Sequence, residues 1–366
     1  MLTRLCSGRL GKAAWRQRAA LLLGVLTGAV ASGAAQTAPP EALPDSANVV
    51  LVTIDGLRWE ELFGGANAAL LRRDPARAAL QARYGQPTPE ARRRALLPFL
   101  WDSLGRRGQL LGNRAFGNYQ DVQNRRRLSY PGYNEMLTGA ADDAHICGNR
   151  SIYNPNETVL EYANRRPGFE GRVAAFASWE AFPFILNQPR SGLLVDAGLD
   201  GQERADSLTY QAARQYLVRA HPRVLYLAFG NTDTHAHHGH YGKYLDAAHA
   251  IDTYLAELWA MLQVIPQYRG RTTLIITTDH GRGRGRLWSQ HGWQLPGSGH
   301  AWLAAMGPGV VSTGEARAPG QHYQGLVASL LAQSVGLNYP AGPTVPVAIP
   351  AVAATPVVPG AGQQGY

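Results

Sequence analysis

Five apolar runs rich in β-branched residues punctuate the chain, at residues 48–55, 172–178, 224–232, 272–279 and 301–306. Each is short and nearly free of polar interruption, the pattern of parallel strands buried on both faces. Between or after them, at 96–104, 158–164, 206–219, 244–262 and 323–335, apolar residues recur three or four apart, the period of a helix with one buried side. Strands and helices alternating in this way predict an α/β fold, a doubly wound and mostly parallel central sheet with helices on both faces. Ligands of such sheets bind beyond the carboxyl ends of the strands. Here those ends are rich in Asp and His.

The flanks read differently. Within residues 1–35, Arg4, Arg9, Lys12, Arg16 and Arg18 precede an apolar stretch at 19–31 and small residues at 33–35. This is the form of a secretory signal peptide cleaved after Ala35, which predicts a periplasmic or secreted protein. The apolar stretch falls short of the roughly 20 residues that a membrane span needs. Removal of the leader lowers the formal net charge from +9 to +4. No broad basic surface with interleaved aromatics is then expected, and no nucleic-acid partner. Cys6 lies in the leader and only Cys147 remains, so the mature chain forms no intrachain disulfide. Residues 36–47 read as a linker and 48–337 as one catalytic domain, within which 66–94, with its Arg clusters and Pro breaks, is an insertion or cap outside the sheet. Residues 338–366 read as a Pro- and Ala-rich disordered tail.

Four segments carry chemistry. Asp55 ends the run VVLVTIDGLRW; alone, Asp-Gly after a strand reads equally as a turn. Asp279 and His280 leave the run TTLIITTDHG together and offer an oxygen and a nitrogen ligand of the kind zinc takes. Asp233 is followed by His235, His237, His238 and His240. If a helix or turn begins there, positions four apart share a face, which pairs Asp233 with His237 and leaves the other three to solvent or to a supporting role. Ser129, in LSYPGYNEM, reads as an N-cap with proline in the first turn, and equally as a nucleophile at a helix N-terminus, where free N–H groups attract phosphate. Serine needs activation, and a divalent cation held by the Asp and His residues would supply it. A further ligand is expected from the segment holding His291 and His300, between which the residues alone do not choose.

Taken in order along the chain, Asp55, Ser129 before Tyr-Pro-Gly-Tyr, Asp233 with His237, and Asp279-His280-Gly resemble the alkaline phosphatase superfamily. The likeness is greatest to its type I phosphodiesterase/nucleotide pyrophosphatase branch and to related bacterial alkaline phosphatase family proteins. The resemblance implies two divalent metal ions, zinc first and manganese or another ion as alternatives. Asp55, Ser129, Asp279 and His280 would hold one; Asp233, His237 and His291, with His300 as runner-up, would hold the other. It also implies a phosphate contact from Asn149, with spacing shifted by about one residue. The implied activity is hydrolysis of small-molecule phosphate mono- or diesters through a phosphoseryl intermediate.

Arg125, Arg126, Arg127, Arg282, Arg284 and Arg286 are candidates to grip phosphate, with solvated loops as the plainer reading. A sulfatase-like hydrolase is disfavoured because Tyr133 stands where the C/S-x-P-x-R motif has Arg. Two alternatives are a phosphomutase resembling cofactor-independent phosphoglycerate mutase, against which export argues, and a non-catalytic metal- or phosphate-binding protein on the same fold.

Overall fold

The computed structural model describes residues 47–198 and 203–340; the expected leader, most of the linker and most of the tail lie outside them. The strands are β1 (Asn48–Ile54), β2 (Gln109–Leu111), β3 (Asn118–Asp121), β4 (Val173–Ala177), β5 (Leu194–Asp196), β6 (Val224–Phe229), β7 (Thr272–Thr277), β8 (His300–Ala301), β9 (Leu303–Met306), β10 (Gly314–Glu315) and β11 (Gly320–Tyr323). Eight form one sheet in the order β10-β2-β9-β7-β1-β6-β4-β5, and β11-β3-β8 form a small second sheet.

Side-chain alternation along the central strands builds two cores. Val50, Val52 and Ile54 of β1 and Leu225, Leu227 and Phe229 of β6 face one side; Val49 and Leu51, with Tyr226 and Ala228, face the other. The first side is covered by helices Asp206–Ala220 and Tyr241–Val264, through Leu217, Leu245, Ile251 and Leu255. The second is covered by helices Ser129–Thr138 and Leu326–Ser334, through Met136, Leu137, Val327 and Leu331. Covering both faces removes β1, β6 and β7 from water, which is why their sequences are apolar at every step rather than at alternate ones.

The last expected strand differs in two ways. It is split into β8 and β9, and β9 runs antiparallel to β7, with Thr277 opposite Leu303 and Leu274 opposite Met306. Residues 278–299 contain only a short 3-10 turn, Gly285–Leu287, and no crossover helix. The chain therefore leaves β7 at one edge of the sheet and re-enters from that same edge, which forces the reversed direction. Likewise 323–335 opens on the end of β11 before its helix begins, and 96–104 holds a π-helical turn, Leu100–Leu104.

Residues 66–94 form helices Ala68–Leu71, Arg77–Tyr84 and Pro89–Leu96 outside the sheet. They dock on the Tyr241–Val264 helix: Tyr84 donates to Asp246 at 2.9 Å, and Asp74 accepts the Gly242 amide at 2.8 Å.

Candidate active site

Three adjacent strands end level with one another, Thr53 of β1 opposite Thr277 of β7 and Ile54 opposite Phe229 of β6. Just past these ends stand Asp55, Asp279 and Asp233, so parallel register alone gathers three carboxylates at one edge. β6 stops at Phe229, short of the expected 232, because the helix Asn231–His237 takes over and carries Asp233 in its first turn. One helical turn on, His237 Nε2 lies 3.1 Å from Asp233 Oδ2. His238 instead places Nδ1 2.7 Å from the Thr234 carbonyl, and its ring stacks on His240. Gly56 has φ +59°, and a Cβ there would come 2.6 Å from Arg282 Nη1 and 2.8 Å from Asp233 Oδ1; the close approach of these two segments needs glycine.

Ser129 is the first residue of its helix. Leu128, not Ser129, occupies the N-cap position, and no side chain caps this end. The hydroxyl is thus not consumed by capping, and Oγ lies 3.3 Å from His280 Nε2. Four residues on, on the same helix face, Tyr133 donates to Asp55 Oδ2 at 2.9 Å. The helix comes this near because Gly132 rests on the Asp279 main chain; a Cβ there would overlap the Asp279 carbonyl oxygen. Asn149 Oδ1 accepts the Tyr130 amide at 3.0 Å, which fixes the Asn beside the serine. Ser129, Asn149 and Tyr133 line a cavity of about 240 Å³ with Trp179, Phe182 and Glu203. Glu203 accepts from Thr234, and burial, with Asp206 and Asp233 nearby, pushes its carboxyl up to about 7. No sequence pattern had marked Glu203, Trp179 or Phe182.

The acids and histidines form two groups. In the inner one, His280 Nε2 is 3.5 Å from Asp55 Oδ1 and 3.3 Å from Asp279 Oδ2. His280 Nδ1 lies 2.9 Å from the Gly281 carbonyl, to which it can only donate. Burial, with His291 beside it, holds the His280 ring well below the usual histidine range, so it is neutral and Nε2 presents a lone pair. Burial raises the Asp55 carboxyl well above its usual range, helped by Asp279 and Asp233, and pushes Asp279 up to about 7. In the outer group, His291 Nδ1 donates to the Arg127 carbonyl at 3.0 Å, leaving Nε2 3.0 Å from His237 Nε2 and 3.8 Å from Asp233 Oδ1. Burial holds His291 down to about 4. The His280 and His291 rings stack at 3.9 Å and join the two groups.

Asp55 Oδ1 and Asp279 Oδ2 are buried without a hydrogen-bond partner among the described residues. With His280 Nε2 they make three lone-pair donors that converge, with the Ser129 hydroxyl as the proton source in reach. Buried acceptors left this way are costly, and a divalent cation satisfies all of them at once. Asp55, Asp279 and His280, and likewise Asp233, His280 and His291, each bring ligand atoms within 4.8 Å of one another. The donor set therefore fits a metal centre. His300 lies outside both groups, in β8 opposite Asp121 of β3.

Arg282 departs from the solvated-loop reading. It is 1% exposed, donates to the carbonyls of Trp288 at 3.1 Å and Ser289 at 2.6 Å, and pairs with Asp233. Burial alone would raise the Asp233 carboxyl; Arg282, with His237 and His291, outweighs it and holds the acid well below its usual range. None of the six candidate arginines lines the cavity over Ser129.

A doubly wound sheet whose strand-end acids and histidines meet a helix-borne serine defines the alkaline phosphatase class of α/β proteins. The sequence model of the type I phosphodiesterase/nucleotide pyrophosphatase family matches residues 100–288, and the chain belongs to that family, a group of phosphoester hydrolases in the alkaline phosphatase superfamily. No curated protein sequence matches it. Among solved structures it is similar to inactive murine ectonucleotide pyrophosphatase/phosphodiesterase 5 in complex with AMP, at TM-score 0.52 and 12% identity over 80% of this chain and 96% of that one. The phosphonate monoester hydrolase of Agrobacterium radiobacter gives 0.52 and 14% over 80% and 74%. The lipoteichoic acid synthase LtaP from Listeria monocytogenes gives 0.50 and 11% over 81% and 73%. Identities this low speak for the fold alone.

Proposed function

We propose that this chain is an exported, metal-dependent hydrolase of small-molecule phosphate esters in which Ser129 is the nucleophile. The observation that carries this reading is the convergence of Asp55 Oδ1 and Asp279 Oδ2, both buried without a hydrogen-bond partner among the described residues, on His280 Nε2, which itself lies 3.3 Å from the Ser129 hydroxyl. Asp55, Asp279, His280 and Ser129 would hold one divalent cation, and Asp233, His237 and His291 a second; mixed nitrogen and carboxylate donors favour zinc. Such ions, when bound, favour the serine alkoxide and offset negative charge on the ester oxygens.

The chain's own residues do the rest. The rigid start of the Ser129–Thr138 helix aims Oγ into the cavity, and attack on phosphorus forms an Oγ–P bond as the bond to the leaving oxygen breaks. Water then cleaves the phosphoseryl ester and restores the hydroxyl. Asn149, held by the Tyr130 amide through Oδ1, keeps its Nδ2 hydrogens for a phosphate oxygen. Export rests on the leader-like residues 1–35, and the catalytic unit is taken as 48–337 with 66–94 as its insertion.

The test is hydrolysis of p-nitrophenyl phosphate, bis-p-nitrophenyl phosphate and p-nitrophenyl sulfate by the chain from Gln36 onward, before and after chelation. Phosphate-ester turnover that chelation abolishes and zinc restores is expected. Turnover indifferent to chelation, or confined to the sulfate, overturns the proposal.

A further inference from the structure

A second cavity, of about 540 Å³, shares no lining residue with the one over Ser129. It lies between the insertion helices and two segments that continue from the outer acid–histidine group: 239–243, two residues beyond His237, and 286–288, between Arg282 and His291. Its floor is apolar and fixed. Leu70, Leu80, Tyr241 and Trp288 are each less than 7% exposed, and the Trp288 ring meets Tyr241 and Tyr244 edge to face at 5.0 and 5.4 Å.

Its rim is cationic. Arg73, Lys243 and Arg286 are exposed and form no ion pair or side-chain hydrogen bond with any described residue. The two acids of the lining are already engaged. Asp74 accepts the amides of Ala76 and Gly242, both at 2.8 Å. Asp246 accepts from Tyr84 at 2.9 Å and pairs with Arg83. Asp246 is thus countered by Arg83, and the three free cations outnumber the remaining Asp74 carboxylate, so the rim is net positive.

We propose that this cavity is a second binding site, for an amphiphilic anion. Its apolar or aromatic body lies on Leu70, Leu80 and Trp288, and its anionic group is held by Arg73, Lys243 and Arg286. The volume suits a small organic molecule, since such sites span roughly 300–1,000 Å³ and combine apolar walls with a few placed polar groups. Neither apolar burial nor charge suffices alone. A bare apolar floor would take neutral ligands equally, and exposed cations over a flat surface hold a small anion only weakly.

The test is titration of the protein from Gln36 onward with two fluorescent probes, anilinonaphthalene sulfonate and the uncharged N-phenylnaphthylamine. The sulfonate is expected to bind saturably at one site, about tenfold or more tighter than the neutral probe, which corresponds to about 1.4 kcal/mol. Replacing the exposed pair, Lys243→Gln with Arg286→Gln, is expected to weaken sulfonate binding about tenfold and leave the melting temperature unchanged. Trp179→Ala, on the cavity over Ser129, is expected to leave sulfonate binding as it is in the parent. The proposal is overturned if the sulfonate does not saturate, if the charge-neutralised pair binds it as the parent does, or if Trp179→Ala abolishes binding.

Discussion

Tyr133 shows how much of the candidate site hangs on single hydrogen bonds. Among the described residues its hydroxyl is the one hydrogen-bond donor to the Asp55 carboxyl group, and burial with the nearby Asp55 carboxylate raises the phenol well above its usual range, so it stays protonated and keeps donating. Outer partners of this kind orient a ligand and typically carry about 10–100-fold in metal affinity or activity. Tyr133→Phe should therefore weaken zinc binding, measured by competition with a chromophoric chelator, by about tenfold with little change in fold stability. Unchanged affinity would show that Asp55 is held by packing alone. The i, i+4 relation of Ser129 to Tyr133 was legible in the sequence; the acid that the tyrosine reaches, 78 residues earlier, was not. Arg282 was less legible still. Alternating Gly and Arg reads as a solvated loop, and only the fold turns the carbonyls of Trp288 and Ser289 inward to bury it.

Among the elements, the Ser129–Thr138 helix sets the serine against the sheet edge, and Gly132 sets the distance. Alanine inside a helix is ordinarily favoured over glycine by about 1 kcal/mol, but here a Cβ meets the Asp279 main chain, which cannot yield without moving a strand end. Gly132→Ala is expected to destabilise by roughly 1–3 kcal/mol in urea denaturation and to lower kcat as Ser129 is pushed from His280. A stabilised variant with full turnover would refute that packing argument.

The same helix ties the loop before it through Glu135, which accepts the amides of Gln123 and Asn124 at 2.8 Å. Burial pushes this carboxyl up to about 7, against about 4.3 in an unfolded chain. A raised folded-state value means that the protonated form is favoured by folding; its contribution is complete below about pH 4 and is lost as pH rises through 7. Metal-free protein should thus be more stable to denaturation at pH 5 than at pH 8, with an amount on the order of 3 kcal/mol coming from this group, and Glu135→Gln should reduce the difference by about that share, the part due to the other raised carboxyls remaining. An equal slope in the variant would assign the effect elsewhere.

On the scale of the whole molecule, the three central strands announce themselves because both faces are buried, and their level ends bring distant acids together. Periodicity served well there. It failed at the edges, where β2, β5 and β10 have only two or three residues and leave no period to detect, and at β9, whose direction depends on the absence of a crossover rather than on its own residues. The cavity wall from Trp179, Phe182 and Glu203 escaped notice for a related reason: it comes from segments after β4 and before the helix Asp206–Ala220, which carry no motif and meet only once the sheet is wound.

In the proposed reaction Ser129 attacks phosphorus within this acid–histidine centre. The measurement that addresses it most directly is zinc-loaded turnover of bis-p-nitrophenyl phosphate by the parent protein and by Ser129→Ala, with zinc content determined in both. Ser129→Ala is expected to lose about a thousandfold or more in kcat/KM, while the zinc that Asp55, Asp279, His280, Asp233, His237 and His291 would hold is largely retained. Turnover by Ser129→Ala within a few-fold of the parent, at the same zinc content, would contradict it.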